Sequence, residues 1–360
     1  MTRTKLAWVT SLALAVTACG FDGDEDVATV GLAAEKPLPK RDGTIVIDGC
    51  HVDTWQRSTL AQPSTKRVAR DLVFLCLVPH LDGVLGPRDP SAVNFLRVQM
   101  DDLRREGYRV SFGVSFTDES GLRYDGAQTA VQLADPRFRT NVATGMREMS
   151  DLVDGFEIDL LGLPNSARND VTALVKEART AAIPKRLAVF VPPSVRAPSD
   201  LPGGDAFDVA ALAPFVDRFH VSTLDYSEPN PGPVLDSGWA VDAVRHARSQ
   251  AGATPLDISM PLFGTDYGPR GMRSVTWLEA TAKAAERRAR IERGPSGALF
   301  FRWAEVTGQA HETWFDDAQS TGLALGAWSY DVLPADVGVV FYGLGAEEPA
   351  LWDRLAERTP

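Results

Sequence analysis

The sequence predicts an α/β protein built as a (β/α)8 TIM barrel, and three observations lead to that fold class. The length of 360 residues fits one large barrel domain better than two domains of average size. Short apolar or alternating stretches, typical of strands, are separated by amphipathic stretches that are typical of helices. The composition, 44% hydrophobic and 24% charged, is that of a globular chain with a large core.

The first half of the barrel follows from the chain in order. The second predicted strand is a continuous apolar run, which suits a strand buried on both faces. A helix before the third strand is closed by Gly107, a residue favoured at helix C-termini. The first four strands are predicted at 44–49, 72–78, 108–116 and within 154–162, with helices at 90–107 and 135–152.

The second half repeats the alternation and contains one insertion. The insertion, at about 266–316, lies between the seventh strand and the last helix–strand unit, and it has a charged helix and two short strands near Ala298 and Glu312. The remaining strands are predicted at 186–193, 215–226, 256–264 and 337–342, with helices at 169–182, 277–293 and 349–357.

The first nineteen residues read as an export signal. Arg3 and Lys5 precede an apolar run at 6–18, which is too short to span a bilayer. The run ends in a stretch that resembles a bacterial lipobox, with Cys19 as the lipidated residue; a cleaved signal peptide with a chance cysteine is the alternative. We expect a flexible tether at 20–43, the barrel at 44–360, and a lipid-anchored protein of the bacterial cell envelope. Gly20 after the cysteine favours the outer membrane.

Cys50 and Cys76 are the two other cysteines, each near the end of a predicted strand. An exported protein enters an oxidising compartment, so a disulfide between them is possible. The sequence favours two buried free thiols, because buried cysteine packs like a small apolar residue.

The stretch 154–162 carries the clearest chemical signal. Apolar and acidic residues alternate through Phe156, Glu157, Ile158 and Asp159, which places the two acids and Leu161 on one face of a strand. Two carboxylates on an apolar strand are costly to bury unless they accept hydrogen bonds or share a proton. Neighbouring Ser and Tyr hydroxyls could satisfy such a pair, so a structural role and a binding role are both open.

This stretch resembles the signature strand of glycoside hydrolase family 18, the chitinases and their relatives, which reads Asp-Gly-x-Asp-x-Asp-x-Glu. Further stretches match the family in the same order, and several are closest to its spore-peptidoglycan branch. They include 187–193, 222–226, 260–267, 311–320 and 338–352. The resemblance covers about residues 44 to 357 and implies the same barrel fold.

The departures from the family pattern lie where its chemistry takes place. The resemblance implies that the last acid of the signature protonates the glycosidic oxygen, and Leu161 occupies that position. Leu224 replaces a Tyr that holds the substrate's N-acetyl carbonyl, and Tyr342 replaces a Trp that floors the subsite. General acid catalysis contributes about 10² to 10⁴ in rate. We therefore expect a protein that binds an N-acetylglucosamine-containing glycan, of the peptidoglycan or chitin type, with impaired hydrolysis.

Seven residues are candidates for contact with that glycan. The acids Glu157, Asp159 and Asp225 and the adjoining Tyr226 lie on or after predicted strands, at or near the barrel end where such sites occur. Rings can stack on the apolar faces of sugars, which adds three aromatic candidates: Trp55, Tyr267 and Tyr342.

Other readings remain. An active glycosidase could use a different acid, with Asp225, Asp118 or Glu119 as candidates, and a scaffold without a glycan ligand is a further alternative. His51, Asp53 and His80 fit no standard zinc spacing, and no metal or cofactor is expected. A net charge of −11 argues against nucleic acid as a partner, so the expected partners are a glycan and, through Cys19, a membrane.

Overall fold

The predicted (β/α)8 fold is confirmed by the computed structural model, which describes residues 37–117, 124–199 and 203–359. The signal sequence, Cys19 and most of the expected tether lie outside the described residues. The strands are β1 Gly43–Ile47, β2 Asp71–Pro79, β3 Leu85–Pro87, β4 Arg109–Ser115, β5 Gly155–Asp159, β6 Arg186–Val191, β7 Arg218–Val221, β8 Leu256–Pro261, β9 Gly264–Gly268, β10 Gly271–Val275, β11 Glu292–Arg293, β12 Leu299–Ala304, β13 Ala310–Phe315 and β14 Gly338–Tyr342.

The α-helices cover the outside of the barrel and part of the insertion. They are α1 Thr54–Ala61, α2 Pro63–Val68, α3 Val93–Arg105, α4 Gly126–Ala134, α5 Pro136–Glu148, α6 Arg168–Ala182, α7 Val209–Leu212, α8 Ser237–Ala251, α9 Trp277–Arg287, α10 Ala318–Ala327 and α11 Leu351–Arg358. Within the described residues, no helix is long and apolar enough to cross a membrane.

Eight parallel strands close the barrel in the order β1, β2, β4, β5, β6, β7, β8 and β14. Closure is visible at Val46 of β1, which pairs with Val73 of β2 on one side and with Tyr342 of β14 on the other. Because all eight strands run in one direction, their carboxyl ends meet at one mouth of the barrel.

The alternation predicted for the signature strand decides what faces the barrel interior. Phe156 and Ile158 of β5, with Leu160 after it, are buried in the main core between the strands and the helices. The alternate residues Glu157 and Asp159 are also buried, but they lie among polar partners inside the barrel. The strand period therefore predicts the sidedness of this element correctly.

The insertion forms a second sheet. Five antiparallel strands lie in the order β10, β9, β13, β12 and β11, with α9 packed against them. The sheet spans 264–315, close to the predicted 266–316. The charged helix is shorter than predicted, because Arg288 has a left-handed backbone (φ 51°) that ends α9.

Two predictions about the chain before and after β1 are wrong. Cys50 and Cys76 form a disulfide and are not free thiols, because the parallel β1 and β2 bring their Cα atoms to 4.4 Å of one another. The expected tether does not extend to residue 43: Leu38 is buried, and its N–H donates to the carbonyl of Arg358 at 2.8 Å. The apolar Leu38 side chain fits the core beneath α11, which composition alone did not indicate.

Candidate glycan site at the barrel mouth

Asp159 ends β5 at the carboxyl mouth of the barrel and is 4% exposed. The hydroxyl of Ser115, at the end of β4, donates to its Oδ2 at 3.1 Å, and the hydroxyl of Tyr124 donates to the same oxygen. Burial raises the pKa of Asp159 to about 6. The hydrogen bond from Tyr124 lowers this pKa, and the charge of Glu157 raises it. The predicted satisfaction of this acid by Ser and Tyr hydroxyls is what the structure has.

Glu157 lies one step deeper and does not open to the mouth. It is fully buried, and its carboxylate is 2.9 Å from Nδ1 of His220 on β7. Nε2 of the same imidazole is 3.0 Å from Asp257 on β8. Burial alone would lower the pKa of His220, but the two carboxylates outweigh it and raise the pKa to about 10. Glu157 thus belongs to a buried ionic group and not to the ligand surface, contrary to its place among the predicted glycan contacts.

The residue that the sequence resemblance assigns to the proton-donor position is open to solvent. Leu161 follows β5 by two residues and is 36% exposed, while Leu160 before it is fully buried in the outer core. Leu224 is buried. Neither aliphatic side chain can donate a proton or a hydrogen bond at this rim.

Asp225 and Tyr226 lie in a loop, and the predicted sixth strand is shorter than expected. β7 ends at Val221, because the Thr223 hydroxyl bonds the backbone of Ser259 and Asp225 has a left-handed backbone (φ 60°). Asp225 is exposed at the surface, and partial desolvation of its carboxyl by the surrounding protein raises its pKa. Tyr226 is 44% exposed and packs on Trp239 with the two rings tilted at 52° and their centroids 5.3 Å apart.

Glu228 is the acid that sequence reasoning missed. It follows Asp225 by three residues, and its N–H donates to the Asp225 carbonyl at 3.1 Å, which closes a turn. Burial and the adjacent charge of Asp225 raise the pKa of Glu228 to about 7. Its position just after the Asp-Tyr pair, and before the turn-forming residues at 229–233, could have drawn attention to it.

The three candidate aromatic residues have different environments. Tyr342, at the end of β14, is half-buried and packs edgewise on Phe190 and Phe263 at centroid distances of 6.0 and 6.4 Å. Tyr267 is only 6% exposed and packs with Trp314, so its ring face is not available for stacking on a sugar, contrary to prediction.

The pKa of Tyr267 is nevertheless affected by two acids of the loop after β7. Burial and the charges of Glu228 and Asp225 raise its pKa to about 12, so its hydroxyl lies within electrostatic reach of both acids. Trp55 is 41% exposed on α1, and within the described residues no hydrogen bond or ring contact joins it to the Asp159 group.

The remaining candidates are accounted for individually. Asp53 caps α1 by accepting from the N–H of Gln56. Among the described residues, no three His, Cys, Asp or Glu side chains form a metal-binding group. Asp118 and Glu119 lie outside the described residues.

Comparisons with known proteins agree with this architecture. The chain is 21% identical over 217 residues to a putative sporulation-specific glycosylase of Bacillus subtilis, YdhD, covering 54% of this chain and 52% of that protein. It therefore spans about half the length, or less, of the curated relatives that it matches. No protein-family model matches the chain.

Solved structures give the same fold. The spore cortex-lytic enzyme SleL of Bacillus cereus superposes with a TM-score of 0.75 at 15% identity, over 90% of this chain and 75% of that one. A chitinase from Chromobacterium violaceum superposes with a TM-score of 0.73 at 19% identity, over 88% and 98%. These comparisons confirm the resemblance to the chitinase-like glycoside hydrolases of family 18 and their spore-peptidoglycan branch.

Proposed function

We propose that this protein binds an N-acetylated glycan of the peptidoglycan or chitin type at the carboxyl mouth of its barrel, and that it hydrolyses the glycan poorly. The observation that carries the proposal is Leu161, an exposed aliphatic side chain at the rim. The sequence resemblance assigns to this position the protonated carboxyl of related enzymes. A sugar is a poor leaving group without an acid, so the absent carboxyl removes about 10² to 10⁴ in rate.

The binding half of the proposal is supported by the groups that remain at the mouth. Asp159 is held by two hydroxyl donors and can accept a hydrogen bond from an amide N–H, as an N-acetyl group would supply. Tyr342 presents a half-buried ring close enough to Asp159 that the carboxylate helps raise its pKa. A ring beside a hydrogen-bonding acid is a suitable surface for one N-acetylated pyranose.

The test measures binding and turnover together on chito-oligosaccharides and peptidoglycan fragments. We expect the wild type to bind with turnover close to the buffer rate and Asp159→Ala to lose affinity. Leu161→Glu should gain hydrolysis by about 10² or more, because it restores a carboxyl at the rim. Leu161→Gln is the matched control, since it has the same length and cannot supply the proton.

Two results would contradict this proposal. Wild-type turnover well above buffer that disappears in Asp159→Ala means that the protein is an active hydrolase. If none of the glycans tested binds, a glycan is not the ligand of this site.

Glu228 supports a second candidate, an active glycosidase with a displaced acid. A carboxyl with a pKa of about 7 is half protonated at neutral pH and can act as a general acid. If this is the function, wild-type hydrolysis has a pH profile with a limb near 7 that collapses in Glu228→Gln. Glu292→Gln, an exposed acid on β11 of the insertion, should leave the profile unchanged. If the pH profile collapses in Asp225→Asn but is unchanged in Glu228→Gln, Asp225 is the acid instead.

We further propose that Cys19 anchors the protein by a lipid in the bacterial cell envelope, with the outer membrane favoured. The lipobox-like stretch before Cys19 supports this location. Labelling of the wild type, but not of Cys19→Ala, by a radioactive fatty acid in the native host tests it; equal labelling of both overturns it.

A further inference from the structure

A basic cavity lies at the opposite end of the barrel from Asp159. Its volume is about 650 Å³, and its wall includes Gly43, Asp71 and Arg109, which are the first residues of β1, β2 and β4. The cavity is therefore at the amino ends of the strands, where barrel proteins do not place their catalytic groups. It is separate from the proposed glycan site.

The lining of this cavity is net positive, whereas the whole chain is net negative. The chain carries a net charge of −11, yet only two acids, Asp42 and Asp71, line the cavity. The six basic residues that line it are Lys40, Arg41, Lys66, Arg67, Arg70 and Arg109. A net positive concavity on an acidic protein concentrates anions from solution.

Half of these cations are committed to the fold. Arg109 forms a two-point ion pair with Asp71, and Lys66 lies 3.7 Å from Glu106. Arg41 donates to the backbone carbonyls of Pro334 and Val337. The contacts of these three side chains account for them as structural residues.

Lys40, Arg67 and Arg70 are different. Each is exposed, and within residues 37–117, 124–199 and 203–359 none of them has a carboxylate within ion-pair distance. Arg67 donates from one nitrogen to the Ala356 carbonyl at 3.4 Å, and Arg70 donates from Nε to the Lys66 carbonyl at 3.2 Å. Each guanidinium therefore retains N–H donors for a ligand.

A purely structural reading covers only part of this set. Arg67 lies in the last turn of α2, where a positive charge is favourable beside the helix carbonyls. Lys40 lies before β1 and Arg70 lies beyond the α2 cap, so that argument does not extend to them. No helix-end interaction therefore explains why Lys40 and Arg70 line the same cavity as Arg67.

We propose that this cavity binds a phosphate-bearing ligand, with the phosphate oxygens accepting from Arg67 and Arg70 and with Lys40 adding charge. A guanidinium fork matches phosphate geometry, and its charge does not depend on pH in the physiological range. The cavity volume lies in the range of small-ligand pockets. It is large enough for a phosphate ester and larger than a bare phosphate ion needs. The phosphate can come from a soluble ester or from a phospholipid headgroup.

The test uses the full chain and two probes. Glycerol 3-phosphate, titrated by calorimetry, represents the soluble source, and vesicles of phosphatidylglycerol, compared with phosphatidylcholine, represent the lipid source. We expect saturable binding to at least one probe, weakened about tenfold or more in Arg67→Gln/Arg70→Gln. Arg97→Gln/Arg290→Gln removes the same net charge at exposed positions outside the cavity and should bind like the wild type.

The outcomes are decisive in either direction. Binding only to phosphatidylglycerol vesicles identifies a headgroup site, and binding to glycerol 3-phosphate identifies a soluble ester. No saturable binding to either probe, or equal weakening in both double variants, overturns the proposal. Unfolding curves in urea establish that both variants are folded, and Lys40→Gln, which lies outside any helix or strand, repeats the test without touching α2. None of these results depends on whether the mouth binds a glycan.

Discussion

His220 joins Glu157 and Asp257 across the barrel interior, with its two ring nitrogens 2.9 and 3.0 Å from the two carboxylates. The three residues come from β5, β7 and β8 and are all buried. One imidazolium between two acids offsets the cost of burying them. This group also affects Asp159, because the negative charge of Glu157 disfavours the ionised form of Asp159 and helps to raise its pKa.

Replacing His220 should therefore destabilise the barrel strongly. His220→Gln leaves Glu157 buried without a cation, although Asp257 keeps its ion pair with Arg218, and we expect the free energy of unfolding to fall by about 3–5 kcal/mol. Urea unfolding at pH 7 measures the change. His246→Gln, at a half-buried histidine on α8, should change it by less than about 1 kcal/mol; similar losses in both variants would show that the buried group does not act as proposed.

The stability of the protein should also depend on pH through His220. Its folded pKa of about 10 is above the ordinary value of 6.5. Its contribution to stability is fully present below pH 6.5 and is lost as the pH rises towards 10. Subtracting the unfolding free energy of His220→Gln from that of the wild type between pH 6 and 10 isolates this dependence, and a flat difference would contradict it.

Asp159 gives a pH dependence in a lower window. Its folded pKa of about 6 is above its ordinary value of 3.8, so its contribution is fully present below pH 3.8 and is lost as the pH rises through 6. Asp159→Asn should therefore be more stable relative to the wild type at pH 7.5 than at pH 4, by about 2 kcal/mol. Paired urea titrations at the two pH values test this, and no change in the relative stability would mean that the burial of Asp159 carries no such cost.

The disulfide makes a separate prediction. Cys50 and Cys76 join the end of β1 to β2 and close a segment with a sequence separation of 26 residues. Breaking the bond should lower the free energy of unfolding by about 2–4 kcal/mol. We expect this loss in Cys50→Ser/Cys76→Ser, and we expect a reductant to lower the stability of the wild type but not of the variant. Equal effects of the reductant on both would contradict the assignment.

Tyr342 tests the surface proposed for the sugar. Its ring packs on Phe190 and Phe263 at the mouth. Tyr342→Phe keeps the ring and should keep most of the glycan affinity, whereas Tyr342→Ala should weaken binding by about tenfold, as loss of an aromatic contact does. Calorimetric titration with the same oligosaccharide compares the two, and equal losses would assign the effect to the hydroxyl.

The sequence by itself determined the barrel and the identity of the side chains at its rim. Strand period alone places Glu157 and Asp159 on the inward face of β5, because alternate residues of a strand point to opposite sides. Through the family resemblance it also predicts that Leu161 stands where related enzymes have an acid. Such information is local, since it depends on residues that are neighbours in the chain.

Only the tertiary structure decided which distant residues meet. The pairing of Cys50 with Cys76, the burial of the Tyr267 ring, the contact of His220 with Glu157 and the basic cavity around Arg70 each join separate elements of the fold. Periodicity cannot predict these contacts, because they depend on the order and register in which the strands close. The raised pKa of Glu228 also depends on the tertiary structure, since it reflects the protein around the carboxyl and the nearby charge of Asp225.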